Sequence, residues 1–288
     1  MDPADGDTVV SPEWVERRRS AFERDDDEYR LVEVNAYPDT YQEGHIDGAV
    51  TLDWQADLRD TTVFDVPSPA AFERVLGSLG VTRDSTVVLY GDTQNWFAAY
   101  AYWLLAYYGH PDIRLLDGGR DYWAASGREL TERVPSVSAR TYTVDETTSS
   151  IRVDREGVLA AMDDGEQLID VRAPAEFRGE ILSPPGWNEG VQRGGHIPGA
   201  INVPWSRVVQ SNGRFKPLAE ILSVFTDRGI DRNDDIVVYC RIGERSALTW
   251  VALHELLGFD SVRHYYGSWV EWGNTVGAPV AQGREAGP

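Results

Sequence analysis

Short apolar runs rich in β-branched residues alternate along this chain with stretches whose apolar positions recur at helical spacing. LVEVN (31–35), TVVLY (86–90), LIDVR (168–172) and DIVVYC (235–240) have the length and composition of buried strands. ALTWVALHELLG (247–258) has helical spacing and ends on glycine. Because strands that alternate with helices form mainly parallel sheets with helices on both faces, the pattern predicts an α/β fold.

The chain also contains an internal repeat. Residues 31–54 align with 168–180 followed by 194–205, and both copies carry the motif G-H-I-x-G-A. Residues 87–119 align in the same way with 237–269. Two tandem copies of one domain are the simplest explanation of this repetition.

The limits of the two domains follow from the repeat and from one polar segment. RVPSVSARTYTVDETTSS (133–150) lacks helical periodicity, which is typical of a linker. We therefore predict a first domain at 8–132, a linker at 133–150 and a second domain at 151–288.

The charge of the chain is strongly negative. The 288 residues carry a net charge of -20, and Lys216 is the single lysine. A chain this acidic repels a phosphate backbone, so nucleic acid is not expected as a partner. Acidity spread along the whole chain, with almost no lysine, indicates a solvent of high ionic strength, in which a Debye length of about 3 Å at 1 M salt screens the repulsion. We therefore expect a halophilic protein.

The sequence also bears on location. One cysteine cannot form an internal disulfide, and the acidic start MDPADGDTVV does not resemble a signal peptide. No apolar stretch approaches the length of a membrane span. We expect a cytoplasmic protein with no membrane partner.

The single cysteine, Cys240, ends a predicted strand and is followed by the loop CRIGERS and a helix. In open α/β sheets, ligands bind at this kind of strand-to-helix loop. The amides of a helix start attract anions, Gly243 lets the loop curl, Arg241 and Arg245 add positive charge, and Ser246 is placed to cap the helix. Such surroundings lower a thiol pKa, so Cys240 is predicted to be a nucleophile.

An inert buried cysteine is the alternative, since free cysteines often act as small hydrophobes. The glycine and two arginines that follow Cys240 favour the reactive interpretation. The matching position in the first copy is Gly91, so catalysis by that copy is not expected.

The repeat, the CRIGER loop, GHIPGAINVPW (195–205) and YGSW (266–269) together resemble the two-domain rhodaneses, which are thiosulfate sulfurtransferases. The resemblance covers nearly the whole chain. It implies two tandem rhodanese-like domains of α/β fold, the first non-catalytic and the second catalytic. It also implies that Cys240 takes sulfane sulfur from a small-molecule donor such as thiosulfate and hands it, as a persulfide, to a thiophilic acceptor such as cyanide or a thiol.

The resemblance further implies that no metal or organic cofactor is needed and that the loop after the nucleophile binds the donor. This active-site loop comprises Arg241, Ile242, Gly243, Glu244, Arg245 and Ser246. Arginine pairs well with sulfonate oxygens because its planar fork offers several donors.

Asp170 and Arg172 end the first strand of the second copy, and we expect them to form a supporting salt bridge at the rim of the site. Two positions depart from the vertebrate-type pattern. Ile242 stands where those enzymes have a basic residue, and Glu176 stands roughly where they have an arginine. Arg245 is the candidate substitute for binding the anion.

Three alternatives remain open. A mercaptopyruvate sulfurtransferase shares the fold and the persulfide chemistry but uses a different donor. A cysteine phosphatase of related fold has five residues between cysteine and arginine, whereas four separate Cys240 from Arg245. A rhodanese-like binding module needs no thiol, which the intact CRIGERS loop argues against.

Overall fold

A computed structural model describes residues 7–187 and 190–283. The chain divides into two compact units, with the boundary between Thr148 and Ser149. The predicted linker, 133–150, therefore falls almost entirely in the first unit, where the amide of Val144, for example, donates to Glu73. The predicted domain limits stay a prediction, and residues 284–288 of the second domain lie outside the described part.

Each unit contains one sheet of five parallel strands, which confirms the predicted repeat and the α/β fold. The first sheet has the order β1-β5-β4-β2-β3 and the second has the order β6-β10-β9-β7-β8, so the two copies have the same topology. The strands are β1 (Val9–Val10), β2 (Tyr29–Asn35), β3 (Val50–Asp53), β4 (Thr86–Tyr90), β5 (Ile113–Leu116), β6 (Arg152–Val153), β7 (Gln167–Asp170), β8 (Ile201–Asn202), β9 (Ile236–Tyr239) and β10 (Val262–Tyr265).

Helices lie around both sheets. They are α1 (Pro12–Arg17), α2 (Arg19–Phe22), α3 (Pro69–Ser78), α4 (Trp96–Tyr107), α5 (Gly119–Ala125), α6 (Arg155–Asp164), α7 (Pro174–Phe177), α8 (Leu218–Thr226), α9 (Glu244–Trp250) and α10 (Ser268–Asn274). A π-helical segment, Val251–Leu256, continues α9. The predicted helix at 247–258 is therefore present, and it begins three residues earlier than its apolar spacing indicates.

The central strands β4 and β9 are buried along their whole length, as their β-branched runs predict. Helix starts follow the usual polar caps: the hydroxyl of Ser68 accepts the Ala71 amide, and the carboxylate of Asp154 accepts the Gly157 amide. Buried residues from β7, β9, β10 and α10 form the core of the second unit, with Trp269 and Trp272 among them.

One segment belongs to a different unit from the residues that precede and follow it in the chain. Val209–Pro217, which separates β8 from α8, belongs to the first unit although its flanks belong to the second. Its attachment point is the buried carboxylate of Asp117, which accepts the Phe215 amide at 2.9 Å and the Arg214 side chain at 2.6 Å. The sequence prediction places this segment in the second domain, because no sequence pattern marks a pairing with so distant a carboxylate.

Within the described ranges, no helix combines the length and the apolar character that crossing a bilayer requires.

Candidate active site

Cys240 lies directly after β9, at the carboxyl end of the central strand of the second sheet, and is fully buried. The Cys240 amide donates to the hydroxyl of Ser268 at 3.2 Å, and that hydroxyl donates to the Tyr265 carbonyl. The Cys240 carbonyl accepts the Trp269 amide at 3.1 Å. The backbone of the cysteine is thus bound through both its amide and its carbonyl to the first residues of α10, which fixes its position.

The Cys240 sulfur has hydrogen-bond donors and one carboxylate around it. The Gly243 amide donates to Sγ at 3.2 Å, and Sγ lies 3.5 Å from Oε2 of Glu244. Burial and then the Glu244 charge raise the pKa of the Cys240 thiol, while Arg245 and hydrogen bonds from Ser246 oppose that rise. The expectation of a lowered thiol pKa is therefore wrong, because it did not weigh complete burial or the adjacent carboxylate.

Gly243 gives the loop its sharp turn. Its φ of +102° is in the left-handed region, where a side chain is strained, so glycine is required there. The Gly243 carbonyl accepts the Ser246 hydroxyl at 3.1 Å and lies 3.0 Å from Nε2 of His264. Burial lowers the pKa of His264 to about 3, so this imidazole is neutral and serves to hold the turn.

Arg245 is held by two carboxylates. Its guanidinium donates to both oxygens of Glu176, at 2.8 and 3.2 Å, and to Glu244 at 3.3 Å. Burial alone would raise the pKa of Glu176, but the hydrogen bonds and charge of Arg245 lower it below its ordinary value. The anion-binding role predicted for Arg245 would therefore compete with carboxylates already bound to it.

Arg241 and Ile242 complete the loop, and both are buried. The Arg241 carbonyl accepts the amide of Val270, so its backbone is fixed next to the nucleophile. The structure thus brings all seven residues of the predicted loop into one buried turn.

Asp170 and Arg172 form the expected salt bridge. The Arg172 guanidinium donates to both carboxylate oxygens of Asp170, at 2.5 to 3.1 Å, and to the Gly195 carbonyl at 2.7 Å. Both side chains are buried, and Arg172 also lies over the Trp269 ring. The pair joins β7 to the G-H-I-P-G-A motif and packs against Trp269, whose amide binds the Cys240 carbonyl.

The two repeated histidines have matching surroundings. His196 stacks on Phe177 and its Nδ1 lies 2.8 Å from the Phe177 carbonyl. His45 stacks on Tyr41 with Nδ1 2.9 Å from the Tyr41 carbonyl. The same geometry in both copies favours a role in the fold for each.

The first unit has no room for a nucleophile at the equivalent position. Gly91 follows β4 as Cys240 follows β9, and a Cβ on Gly91 would lie 2.0 Å from the Val34 carbonyl oxygen. The Gly91 amide donates instead to Asn95, the residue that occupies the place of Glu244.

Sequence reasoning missed three residues of the site: Glu176 as the partner of Arg245, His264 and Ser268. The departure of Glu176 from the family pattern was the signal for the first. A charged residue that replaces one of opposite sign indicates a rearranged ion pair. His264 carries no signal, because β10 approaches the loop only through the sheet order. Ser268 lies within the YGSW motif, but the motif does not show that its hydroxyl accepts the Cys240 amide.

No three His, Cys, Asp or Glu side chains of the described residues are grouped so that they could hold a metal ion.

Comparison with known proteins gives the following matches. Residues 11–126 and 154–275 each match the Rhodanese-like domain family. A protein of Haloferax volcanii named "Putative thiosulfate sulfurtransferase" is 49% identical over 96% of this chain and 97% of its own length. The "Sulfur carrier protein TtuD" of Thermus thermophilus is 44% identical over 99% of this chain and 100% of its own.

Solved structures show the same fold. The anaerobic ergothioneine biosynthesis enzyme from Chlorobium limicola, bound to trimethyl histidine, superimposes with a TM-score of 0.85 at 24% identity. The match covers 96% of this chain and 71% of that one.

Proposed function

Because the chain belongs to the rhodanese family, we propose that it is a thiosulfate sulfurtransferase that works through a Cys240 persulfide. The observation that carries the proposal is the position of the Cys240 sulfur, 3.2 Å from the Gly243 amide in a closed loop at the carboxyl end of β9. A sulfur in such a place can receive a second sulfur whose negative charge faces backbone donors.

The reaction proceeds in two halves. The Cys240 sulfur attacks the outer sulfur of thiosulfate, the sulfur–sulfur bond of the donor breaks, and sulfite leaves with the bonding electron pair. An acceptor such as cyanide or a thiol then attacks the outer sulfur of the persulfide and regenerates Cys240. This is covalent catalysis that divides one transfer into two steps.

Arg241 supports thiosulfate as the donor. It directly follows the nucleophile and is buried, and a guanidinium that turns towards the sulfur under attack would hold the sulfonate oxygens of the donor. Mercaptopyruvate carries its carboxylate farther from its sulfur and gains less from a charge at this position. The runner-up is therefore a mercaptopyruvate sulfurtransferase with the same persulfide.

A second candidate is a carrier that passes its sulfur to another protein. The relative named "Sulfur carrier protein TtuD" supports it, since the two chains match over nearly their whole lengths. In that case the persulfide is the same and the acceptor is a protein thiol rather than cyanide.

The test is incubation of the full chain with thiosulfate alone, followed by intact mass spectrometry and a sulfite assay. We expect a mass gain of one sulfur atom and one sulfite per chain, both abolished in Cys240→Ser and the mass gain reversed by cyanide. No mass gain in the folded protein, or full activity in Cys240→Ser, contradicts the proposal. A parallel incubation with mercaptopyruvate compares the two donors.

A further inference from the structure

Glu244 is the carboxylate nearest to the reacting sulfur, and it is buried with it. Its Oε2 lies 3.5 Å from the Cys240 sulfur, its Oε1 accepts from Arg245, and its side chain is about as inaccessible as that of Arg245. Hydrogen-bonding groups of Gly243 and Ser246 face the same sulfur as donors. Glu244 thus brings to the sulfur a carboxylate that can accept the thiol proton.

The positive and negative charges of the loop are equal in number only while the thiol proton remains on Cys240 or Glu244. Arg241 and Arg245 each carry a positive charge, and Glu176 and Glu244, which are both ion-paired with Arg245, each carry a negative charge while the thiol is neutral. Loss of the thiol proton to water would leave one uncompensated negative charge in a buried site, which is costly. Transfer of that proton from Cys240 to Glu244 leaves the balance unchanged.

We propose that Glu244 is a catalytic residue, the general base that takes the Cys240 proton when the donor is attacked and returns it when the acceptor has left. This inference rests on the proposed function, because it assigns a role in the persulfide reaction. Proton transfer between groups within hydrogen-bond reach is the geometric requirement for a general base, and the 3.5 Å separation meets it for sulfur.

The first half of the reaction balances as follows. The Cys240 S–H bond breaks and an O–H bond forms on Glu244. The cysteine sulfur forms a bond to the outer sulfur of thiosulfate, whose own sulfur–sulfur bond breaks so that sulfite leaves with the electron pair. The persulfide carries one negative charge, and the protonated Glu244 can donate a hydrogen bond to it.

The second half restores the starting state. Cyanide attacks the outer sulfur, thiocyanate leaves, and the Cys240 thiolate recovers its proton from Glu244. No oxidant or reductant beyond donor and acceptor takes part. Glu244 contacts Cys240 and Arg245 and is linked through Arg245 to Glu176, and the neutral His264 contacts the Gly243 carbonyl of the same turn.

The role predicts an unusual pH dependence. A thiol that must ionise into water loses reactivity about tenfold per pH unit below its own pKa, which ordinarily is about 8.5. With Glu244 as the internal base, the wild-type rate depends on the carboxylate instead. It should therefore stay nearly constant from pH about 9 down to pH about 6.

The experiment is single-turnover formation of the persulfide from thiosulfate in the full chain, followed by rapid quenching and mass spectrometry across this pH range. Glu244→Gln keeps the shape and removes the base. We expect it to be on the order of 100-fold slower than wild type at pH about 6, with the difference narrowing towards pH about 9. Glu244→Asp should recover part of the rate at the lower pH, and Glu255→Gln on the π-helical continuation of α9 is the matched control.

Other outcomes have distinct meanings. If Glu244→Gln equals or exceeds wild type at pH about 6, Glu244 only disfavours the thiolate by its charge, and the role as a base is overturned. If Glu244→Gln does not fold, the wild-type pH profile is the test. A wild-type rate of persulfide formation that falls tenfold per pH unit below the thiol pKa also overturns the role of Glu244 as a base. If wild type forms no persulfide at any pH, the proposed function fails rather than this inference.

Discussion

The Glu176 carboxylate and the Arg245 guanidinium form a two-point ion pair, at 2.8 and 3.2 Å, between α7 and the start of α9. Both side chains are almost inaccessible, at 1% and 4% exposed. The pair joins two segments that are 69 positions apart in the chain, so it holds the active-site loop against α7.

Breaking one side of this pair should destabilise the second unit strongly. Glu176→Gln removes one of the two carboxylates bound to the buried Arg245 guanidinium, and we expect a loss of about 3 kcal/mol or more in the free energy of unfolding. Glu176→Leu combined with Arg245→Met should recover part of that loss, but not all, because Glu244 then loses Arg245. Urea unfolding of Glu176→Leu, Arg245→Met and their double variant completes the cycle that measures the coupling.

The exposed pair of Arg178 and Glu180 provides the control, since it has similar distances without burial. Glu180→Gln should leave the unfolding curve almost unchanged. Equal effects at the buried and the exposed pair would show that the Glu176 contact contributes no more than a surface contact.

Arg241→Gly should separate the two donors. If Arg241 holds the departing sulfite more strongly than bound thiosulfate, its loss lowers the rate of the thiosulfate reaction itself. We expect a decrease on the order of tenfold to a hundredfold in kcat/KM for thiosulfate. The rate with mercaptopyruvate should hold or rise. An equal loss with both donors, or a wild type that prefers mercaptopyruvate, would favour a mercaptopyruvate sulfurtransferase over a thiosulfate sulfurtransferase.

Gly91→Ala tests why the first copy has no nucleophile. Its new Cβ would meet the Val34 carbonyl oxygen, and overpacking of a buried site costs about 1–3 kcal/mol of stability. Gly190→Ala is the matched control, because no atom lies within 4 Å of the Cβ it would add and its φ is ordinary. Thermal melts of the two variants should differ; if they coincide, packing does not exclude a side chain at Gly91.

The salt dependence follows from the net charge of -20. At low ionic strength the carboxylates repel one another over a long distance, and the compact state is destabilised. Tm and activity should therefore rise from low to molar KCl. A Tm that does not change along the KCl series would contradict the halophilic expectation.

The fold was predictable because its signals are local. The β-branched run of β9 and the apolar spacing of 247–258 each lie within a few residues, and the repeat supplied the same signals twice. Topology then followed from the rule that alternating strands and helices form parallel sheets.

The electrostatics of the site were less predictable because they depend on distant residues. Sequence places two arginines beside Cys240, which indicates a lowered thiol pKa. It does not show that Arg245 is bound by Glu176, or that the Glu244 carboxylate turns towards the sulfur. Burial and the direction of side chains decide the sign of a pKa shift, and neither is a property of a short motif.

Because Val209–Pro217 belongs to the first unit, folding of that unit is completed only after part of the second half of the chain has been synthesised. Phe215 lies 98 positions after the Asp117 carboxylate that accepts its amide, so this contact has a very large sequence separation. On the ribosome, the first unit can form its five strands but cannot acquire its last segment until much of the second half has been synthesised. The amino-terminal copy therefore reaches its final form only after about half of the carboxyl-terminal half of the chain, up to Pro217, has left the ribosome.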